Sequence, residues 1–338
     1  MAEKIRVGVI GLGFAGKEHL KGYAAADGVE IAALCDVNLK LLNEQAQLYG
    51  VKQLLTDYKE MLEQKDIDAI SVCLPNYLHH PVSLDALNAG KHIFCEKPPT
   101  LNAAEAIELA ETARKKNLLM MYAFCTRFSP QARYVRQLID KGELGDIYFG
   151  KAVYSRRSGI PIGSDGWFVD KKRSGGGSLL DIGVHPLDCV WWLMGSPEPA
   201  VVLGSAYQKF RHAVPSNVNF DVDDSAFALV RFANGATLML ECSWALHRSN
   251  NNIREIAGTA GGACLDPLKI FTQRDGTQVD ITPHLPNDNI YIREVAHFVR
   301  CIRKEEQPIT SAEQGVLLMQ ILEAIYKSAQ TGKEVRLG

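Results

Sequence analysis

The chain has 338 residues but no apolar run near the roughly 18 that a membrane-spanning helix requires. It lacks an excess of either charge: Lys and Arg number 37, Asp and Glu 39, for a net charge of −2. A nucleic-acid or acidic-membrane binder shows a basic excess, so neither partner is expected. Eight cysteines lie at positions 35, 73, 95, 125, 189, 242, 264 and 301, and no two are close enough for a CxxC pair. Zinc-ribbon and thioredoxin spacings are therefore absent, and no other metal-ligand cluster is evident. Thiols scattered in this way fit buried small residues in a reducing cytoplasm. No internal repeat and no low-complexity segment occurs. The stretch Met1 to Arg6 mixes both charge signs and lacks the apolar region and cleavage site of a signal peptide, so the expected location is cytoplasmic.

What is present is ordinary globular composition, 46% apolar and 22% charged, at a length that suggests two domains. The first part alternates strand and helix patterns. Strands are expected at 5–10, 30–35, 52–55, 69–74, 92–95 and 118–124. Helices are expected at 15–26, 39–49, 57–64, 81–88 and 102–116, the last with Asn102 as N-cap. That alternation means βαβ units and a parallel sheet covered on both faces. After residue 125 the pattern changes. A helix at 131–141 precedes longer strands beginning at 146–154. A loop rich in glycine, serine and charge runs from Arg156 to Gly177, and a helix follows near 179–194. Strands at 227–232 and 237–242 flank Asn234-Gly235, a strong hairpin signal. Two helices, near 289–304 and 312–331, close the chain. The expected division is a dinucleotide-binding domain over 1–125 and an α+β domain over 126–338.

Gly11-Leu12-Gly13-Phe14-Ala15-Gly16 follows the first strand and opens the first helix of a βαβ unit. In that context GxGxxG is the dinucleotide fingerprint. Gly11 permits the tight turn, Gly13 lets the backbone approach a pyrophosphate, and Gly16 lets helix and strand pack closely. Asp36 stands twenty residues beyond Gly16, at the end of the second strand. A carboxylate there accepts hydrogen bonds from a ribose and repels a 2′-phosphate, which favours NAD. Lys40 nearby can offset it, so NADP stays open. Phe94-Cys95-Glu96-Lys97-Pro98-Pro99 falls at the carboxyl end of the fifth strand, the edge where open α/β sheets bind ligands. A lysine there can hold a substrate hydroxyl and stabilise developing negative charge. The two prolines make a rigid turn in which a cis X-Pro bond is a candidate.

Three motifs together resemble the Gfo/Idh/MocA oxidoreductases: Gly11 to Gly16, Glu96-Lys97-Pro98, and Gly175-Gly176-Gly177-Ser178-Leu179-Leu180-Asp181-Ile182-Gly183-Val184-His185. They fall in order across both expected domains. The resemblance implies an N-terminal Rossmann domain and a C-terminal α+β domain with a large, mostly antiparallel open sheet. It also implies a nicotinamide cofactor, a sugar or cyclic polyol as substrate, and homodimers or homotetramers built through the exposed sheet face. Pro75-Asn76-Tyr77-Leu78-His79 resembles the family's loop beside the nicotinamide ribose, which adds Leu74, Pro75, Asn76 and His79 to the cofactor shell. Thr126-Arg127-Phe128 matches the family's arginine-aromatic pair, and the resemblance puts Arg127, Glu96 and Lys97 at the cofactor, with Cys125 where many members carry Asn. The family places substrate-lining residues in the loop that here carries Tyr154, Arg156, Arg157, Trp167 and Phe168. His247 is a further candidate for the cleft. Trp191 and Trp192 read as core.

Asp181 and His185 are four residues apart, so one helix places them on one face. Histidine moves protons near neutral pH, and a nearby carboxylate can orient it. The glycines before them are expected to let the backbone approach the cofactor. Pro186 would bend a helix that ran through it. The family's Lys-Asp-His set matches Lys97, Asp181 and His185. The expected activity is hydride transfer between a secondary alcohol of a sugar or polyol and a nicotinamide. A redox-assisted glycosidase on the same scaffold and a non-catalytic cofactor sensor are the alternatives. A cofactor-independent metal lyase conflicts with the glycine fingerprint.

Overall fold

A computed structural model describes residues 4–163 and 165–337. In chain order its main elements begin with β1 (Ile5–Ile10), α1 (Phe14–Ala25), β2 (Val29–Cys35), α2 (Leu39–Tyr49) and β3 (Gln53–Leu55). They continue with α3 (Tyr58–Leu62), β4 (Ala69–Val72), α4 (His79–Asn88), β5 (His92–Glu96), α5 (Ala103–Lys116) and β6 (Met120–Ala123). Next come α6 (Pro130–Asp140), β7 (Ile147–Ser155), α7 (Lys171–Ser174), a π-wound turn Leu179–Gly183 and α8 (Val184–Leu193). Seven strands follow: β8 (Pro199–Tyr207), β9 (Ser225–Phe232), β10 (Thr237–Ser243), β11 (Asn251–Gly258), β12 (Gly262–Leu265), β13 (Leu268–Arg274) and β14 (Thr277–Ile281). The chain ends with α9 (Ile290–Ile302), α10 (Ala312–Thr331) and β15 (Val335–Arg336). Helix starts carry side-chain caps where the sequence supplies them. Asn102 accepts from the Glu105 amide at 2.9 Å, and Glu105 returns a bond to the Leu101 amide at 3.1 Å.

The chain forms two compact units. The first holds a six-stranded parallel sheet in the order β3-β2-β1-β4-β5-β6. Its strands are apolar on both faces: Val7, Val9, Ile70, Val72, Ile93 and Phe94 are fully buried. The order reverses between β1 and β4, which opens a crevice at the carboxyl ends of those strands.

One expectation is corrected. Residues 289–316, expected in the C-terminal domain, belong to the first unit. The reason is packing. A Cβ on Gly22 of α1 would lie 2.6 Å from Val295 Cβ, so only glycine lets α9 come this close. Phe298 of α9 stacks on Phe94 of β5 at 5.0 Å. Beyond α9 the chain covers the edge strand β6, where the Tyr122 amide donates to the Thr310 carbonyl at 3.1 Å.

The second unit is built on a nine-stranded sheet, β14-β13-β12-β11-β7-β10-β9-β8-β15. Every pairing is antiparallel except β7 with β10. One face is covered by helices: a Cβ on Gly150 would meet Val190 and Met194, and one on Gly204 would meet Ile325. On the opposite face Leu203, Leu229 and Met239 stand side by side in register and are exposed by 52, 45 and 44%. Trp191 is fully buried and donates to the Pro197 carbonyl at 2.9 Å. Trp192 is half-buried, with the Arg136 guanidinium 5.8 Å above its ring. The strands β8 and β11 to β15 had no counterpart among the expected strand ranges. No described helix is long and apolar enough to cross a membrane.

Gly22→Ala is expected to cost about 1–3 kcal/mol through the clash with Val295. Thermal denaturation of that variant measures it, and an unchanged Tm would contradict the tight α1–α9 contact.

Candidate functional site

In the first unit the candidate residues gather at the carboxyl edge of the parallel sheet. The turn after β1 takes Gly11 to φ +87°, and a Cβ there would lie 2.2 Å from the Cys73 carbonyl oxygen. Gly13 is the N-cap of α1, offers no side-chain cap, and has open space where a Cβ would stand. The first amides of a twelve-residue helix thus face an open cradle, the arrangement that receives a phosphate. Gly16 fits against the Gly11 carbonyl, where a Cβ would come within 2.0 Å. Leu12 is buried, so only its backbone serves the site: its amide donates to Asp36 Oδ2 at 2.7 Å. Asp36 Oδ1 accepts the Asn38 amide at 2.8 Å. Each carboxylate oxygen keeps a second lone pair for a ribose hydroxyl. These residues fit a nicotinamide dinucleotide. Phe14 is 73% exposed beside the turn, edge-on to Tyr291, and Ala15 is half-buried.

Lys97 and Glu96 sit half-buried at the end of β5, and the Lys97–Pro98 bond is cis. The Lys97 amide donates to Glu96 Oε2 at 3.1 Å. Burial pushes the Glu96 carboxyl up, but His19 and Lys97 outweigh it and hold the group below the ordinary carboxylate range. Cys125, where the family carries Asn, is buried, and burial keeps its thiol protonated. Leu74 and Pro75 are half-buried in the loop after β4, and Asn76 is buried.

His79, expected in the cofactor shell, is fully buried, with Nδ1 2.8 Å from the Pro98 carbonyl and Nε2 2.7 Å from the Leu74 carbonyl. It ties the loop after β4 to the lysine turn after β5. Burial lowers its pKa against the pull of the two carbonyls, so the neutral ring donates to one of them at a time.

In the second unit the segment around Asp181 and His185 hangs on a carboxylate that sequence reasoning missed. Asp223 accepts from the Gly177 amide at 2.8 Å, the Ser178 hydroxyl at 2.7 Å, the Leu179 amide at 3.0 Å and the Tyr326 hydroxyl at 2.6 Å. A Cβ on Gly177 would lie 1.8 Å from the Asp223 carbonyl oxygen. The close approach that Gly177 permits is to Asp223. The expected helix runs unbroken from Leu179 to Leu193: its first turn, which carries Asp181, is π-wound and passes into α8 at Val184. Pro186 has no amide to return to the carbonyls of that turn, and the π winding ahead of it accommodates the loss. Asp181 and His185 are both half-buried. The Trp244 indole, fully buried, donates to Asp181 Oδ2 at 2.9 Å. A buried tryptophan after a strand gave no signal of this in the sequence.

At the end of β7 the Arg156 guanidinium donates to the Tyr154 hydroxyl at 3.0 Å and lies 5.0 Å from the centre of its ring. Trp167 and Phe168, both half-buried, stack at 3.8 Å. Arg157 and His247 are exposed, and the His247 ring lies 5.2 Å from Phe210. The Arg127 guanidinium, expected at the cofactor, is fully buried in a paired contact with Asp188, at 2.9 and 2.5 Å. Burial raises the Asp188 carboxyl against the pull of Arg127. The pair anchors the start of the second unit to α8. Among the described residues no group of three or more His, Cys, Asp or Glu side chains is placed to hold a metal ion.

Arg127→Met leaves the Asp188 carboxyl buried without its partner and is expected to destabilise the fold by about 3–5 kcal/mol. Chemical denaturation checks this, and a loss under about 1 kcal/mol would contradict a buried ion pair.

Family models account for most of the chain. Residues 5–124 match the oxidoreductase family with an NAD-binding Rossmann fold, and residues 132–264 match the GFO/IDH/MocA C-terminal domain. A D-glucoside 3-dehydrogenase of Escherichia coli K12 is 34% identical, over 98% of this chain and 97% of that protein. A myo-inositol 2-dehydrogenase of Thermotoga maritima is 25% identical, over 98% of each. A solved levoglucosan dehydrogenase in complex with NADH and L-sorbose superimposes with a TM-score of 0.90 at 26% identity, over 99% of each chain. The chain belongs to the Gfo/Idh/MocA family of NAD-binding oxidoreductases.

Proposed function

We propose that this enzyme oxidises a secondary alcohol of a sugar or cyclic polyol, with Lys97, Asp181 and His185 as its catalytic residues. The observation that carries the reading is the uncapped, open start of α1 beside Asp36, on the same sheet edge as Lys97. NAD, when bound, accepts the hydride. Lys97 donates a hydrogen bond to the alcohol oxygen and stabilises the charge that grows there. His185 takes the hydroxyl proton, and Asp181 stabilises the ring once it is charged. The Trp244 N–H fixes Asp181 for that task. Asp36 favours NAD over NADP by repelling a 2′-phosphate.

Tyr154, Arg156, Trp167 and Phe168 offer aromatic faces and a guanidinium to a sugar ring and its hydroxyls. The related D-glucoside 3-dehydrogenase and myo-inositol 2-dehydrogenase support glucosides and inositols as the first substrates to test. The exposed apolar row Leu203, Leu229 and Met239 supports a homo-oligomer through the open sheet face.

The test is NADH formation, followed by absorbance, across glucosides, free sugars, inositols and sugar acids, with NAD and NADP in parallel. A rate with one substrate class, faster with NAD, is expected. Hydrolysis of a chromogenic glycoside without net NADH would replace the reading by a redox-assisted glycosidase. For the oligomer, Leu229→Lys is expected to reduce the mass seen by light scattering, and an unchanged mass would reject the sheet-face assembly.

A further inference from the structure

A buried polar relay in the first unit has no part in the chemistry above. His19 lies inside α1, the helix whose start forms the open cradle, and is fully buried. Its ring stacks on Phe94 at 4.6 Å. Nε2 lies 3.3 Å from Glu96 Oε1, the loosest link of the relay. Nδ1 lies 3.0 Å from Ser71 Oγ and 3.4 Å from Cys73 Sγ. Ser71 Oγ in turn lies 2.7 Å from the Tyr23 hydroxyl.

The inventory of donors fixes the direction of this relay. A carboxylate only accepts, so the ring nitrogen facing Glu96 carries the hydrogen. In the neutral ring Nδ1 is then the acceptor, and both groups that face it can donate. Burial keeps the Cys73 thiol and the Tyr23 phenol protonated. Tyr23 donates to Ser71 and Ser71 to His19, whose Nε2 faces Glu96 Oε1 at 3.3 Å in an electrostatic contact outside hydrogen-bond alignment. The opposite direction would set the bare lone pair of Nε2 against the carboxylate.

We propose that His19 is a positioning residue for the lysine turn: held as the Nε2–H tautomer, it fixes the Glu96 carboxylate, which in turn holds the Lys97 amide. This rests on the reading of Lys97 as the group that holds the substrate hydroxyl. His19 thereby couples the helix that receives the phosphates to the turn that carries the chemistry. Its ring meets Glu96, Ser71, Cys73 and Phe94 and leaves the Leu12–Asp36 bond untouched, so turnover should fall further than cofactor affinity.

The test uses the full chain and the variants H19F, H19Q, S71A and K97M. His19→Phe keeps the stack on Phe94 but has no ring nitrogen, and His19→Gln restores a donor. H19F is expected to lose roughly 10- to 100-fold in kcat, with the Kd for NADH, read by fluorescence, within about threefold of the parent. H19Q should recover most of that loss, and S71A should fall between. Selective 15N-histidine labelling should report the Nε2–H tautomer for His19, independently of any substrate. An Nδ1–H tautomer overturns the proposal, as does an H19F kcat within about twofold of the parent. A joint loss of kcat, NADH affinity and Tm that H19Q does not restore also overturns it, because His19 would then be merely structural. Full activity in K97M removes the Lys97 reading and this proposal with it. A silent K97M beside a normal H19F removes this proposal alone.

Discussion

The first unit depends on how closely the turn after β1 approaches the end of β4. A Cβ at Gly11 would stand 2.2 Å from the Cys73 carbonyl oxygen, so no other residue lets the chain turn there. That contact sets where α1 begins, and an α1 with no side-chain cap leaves its first amides directed at open space. The same turn delivers the Leu12 amide to Asp36, which fixes the carboxylate at the tip of β2. Backbone approach, helix dipole and carboxylate are thus one arrangement rather than three separate features. The relay from Tyr23 through Ser71 and His19 to Glu96 extends it from α1 to the end of β5.

The second unit meets a similar demand with a side chain. Its glycine-rich segment wraps Asp223, whose carboxylate gathers two amides and two hydroxyls. A carboxylate that is buried needs such donors, and here they start the turn that carries Asp181. The π winding then hands over to α8 just before His185, and the buried Arg127–Asp188 pair ties the start of the unit to that helix. Trp244 adds a donor to Asp181 from the end of β10. Fixing Asp181 through Trp244 makes its geometry depend on packing.

Much of this was legible in the sequence because its signals are local. The glycine fingerprint, the Asn102 cap and the Asn234-Gly235 turn each act within a few residues, and each structure forms where expected. What escaped depends on residues far apart in the chain. The return of α9 to the first unit rests on Gly22 meeting Val295 and Phe94 meeting Phe298. The roles of Asp223, Trp244 and His19 rest on partners dozens of residues away. His79 and Arg127 carry polar side chains in family-like positions, yet burial commits one to two carbonyls and the other to Asp188. Residue type alone does not show such partners, because they lie far away in the chain.

The most direct measurement of the central claim is a crystal structure of the full chain with NADH and a bound sugar that the enzyme turns over. The account requires Lys97 Nζ and a His185 ring nitrogen within about 3.2 Å of one sugar hydroxyl, with the carbon bearing it against the nicotinamide. A sugar bound in turnover geometry with either side chain away from that hydroxyl would contradict it.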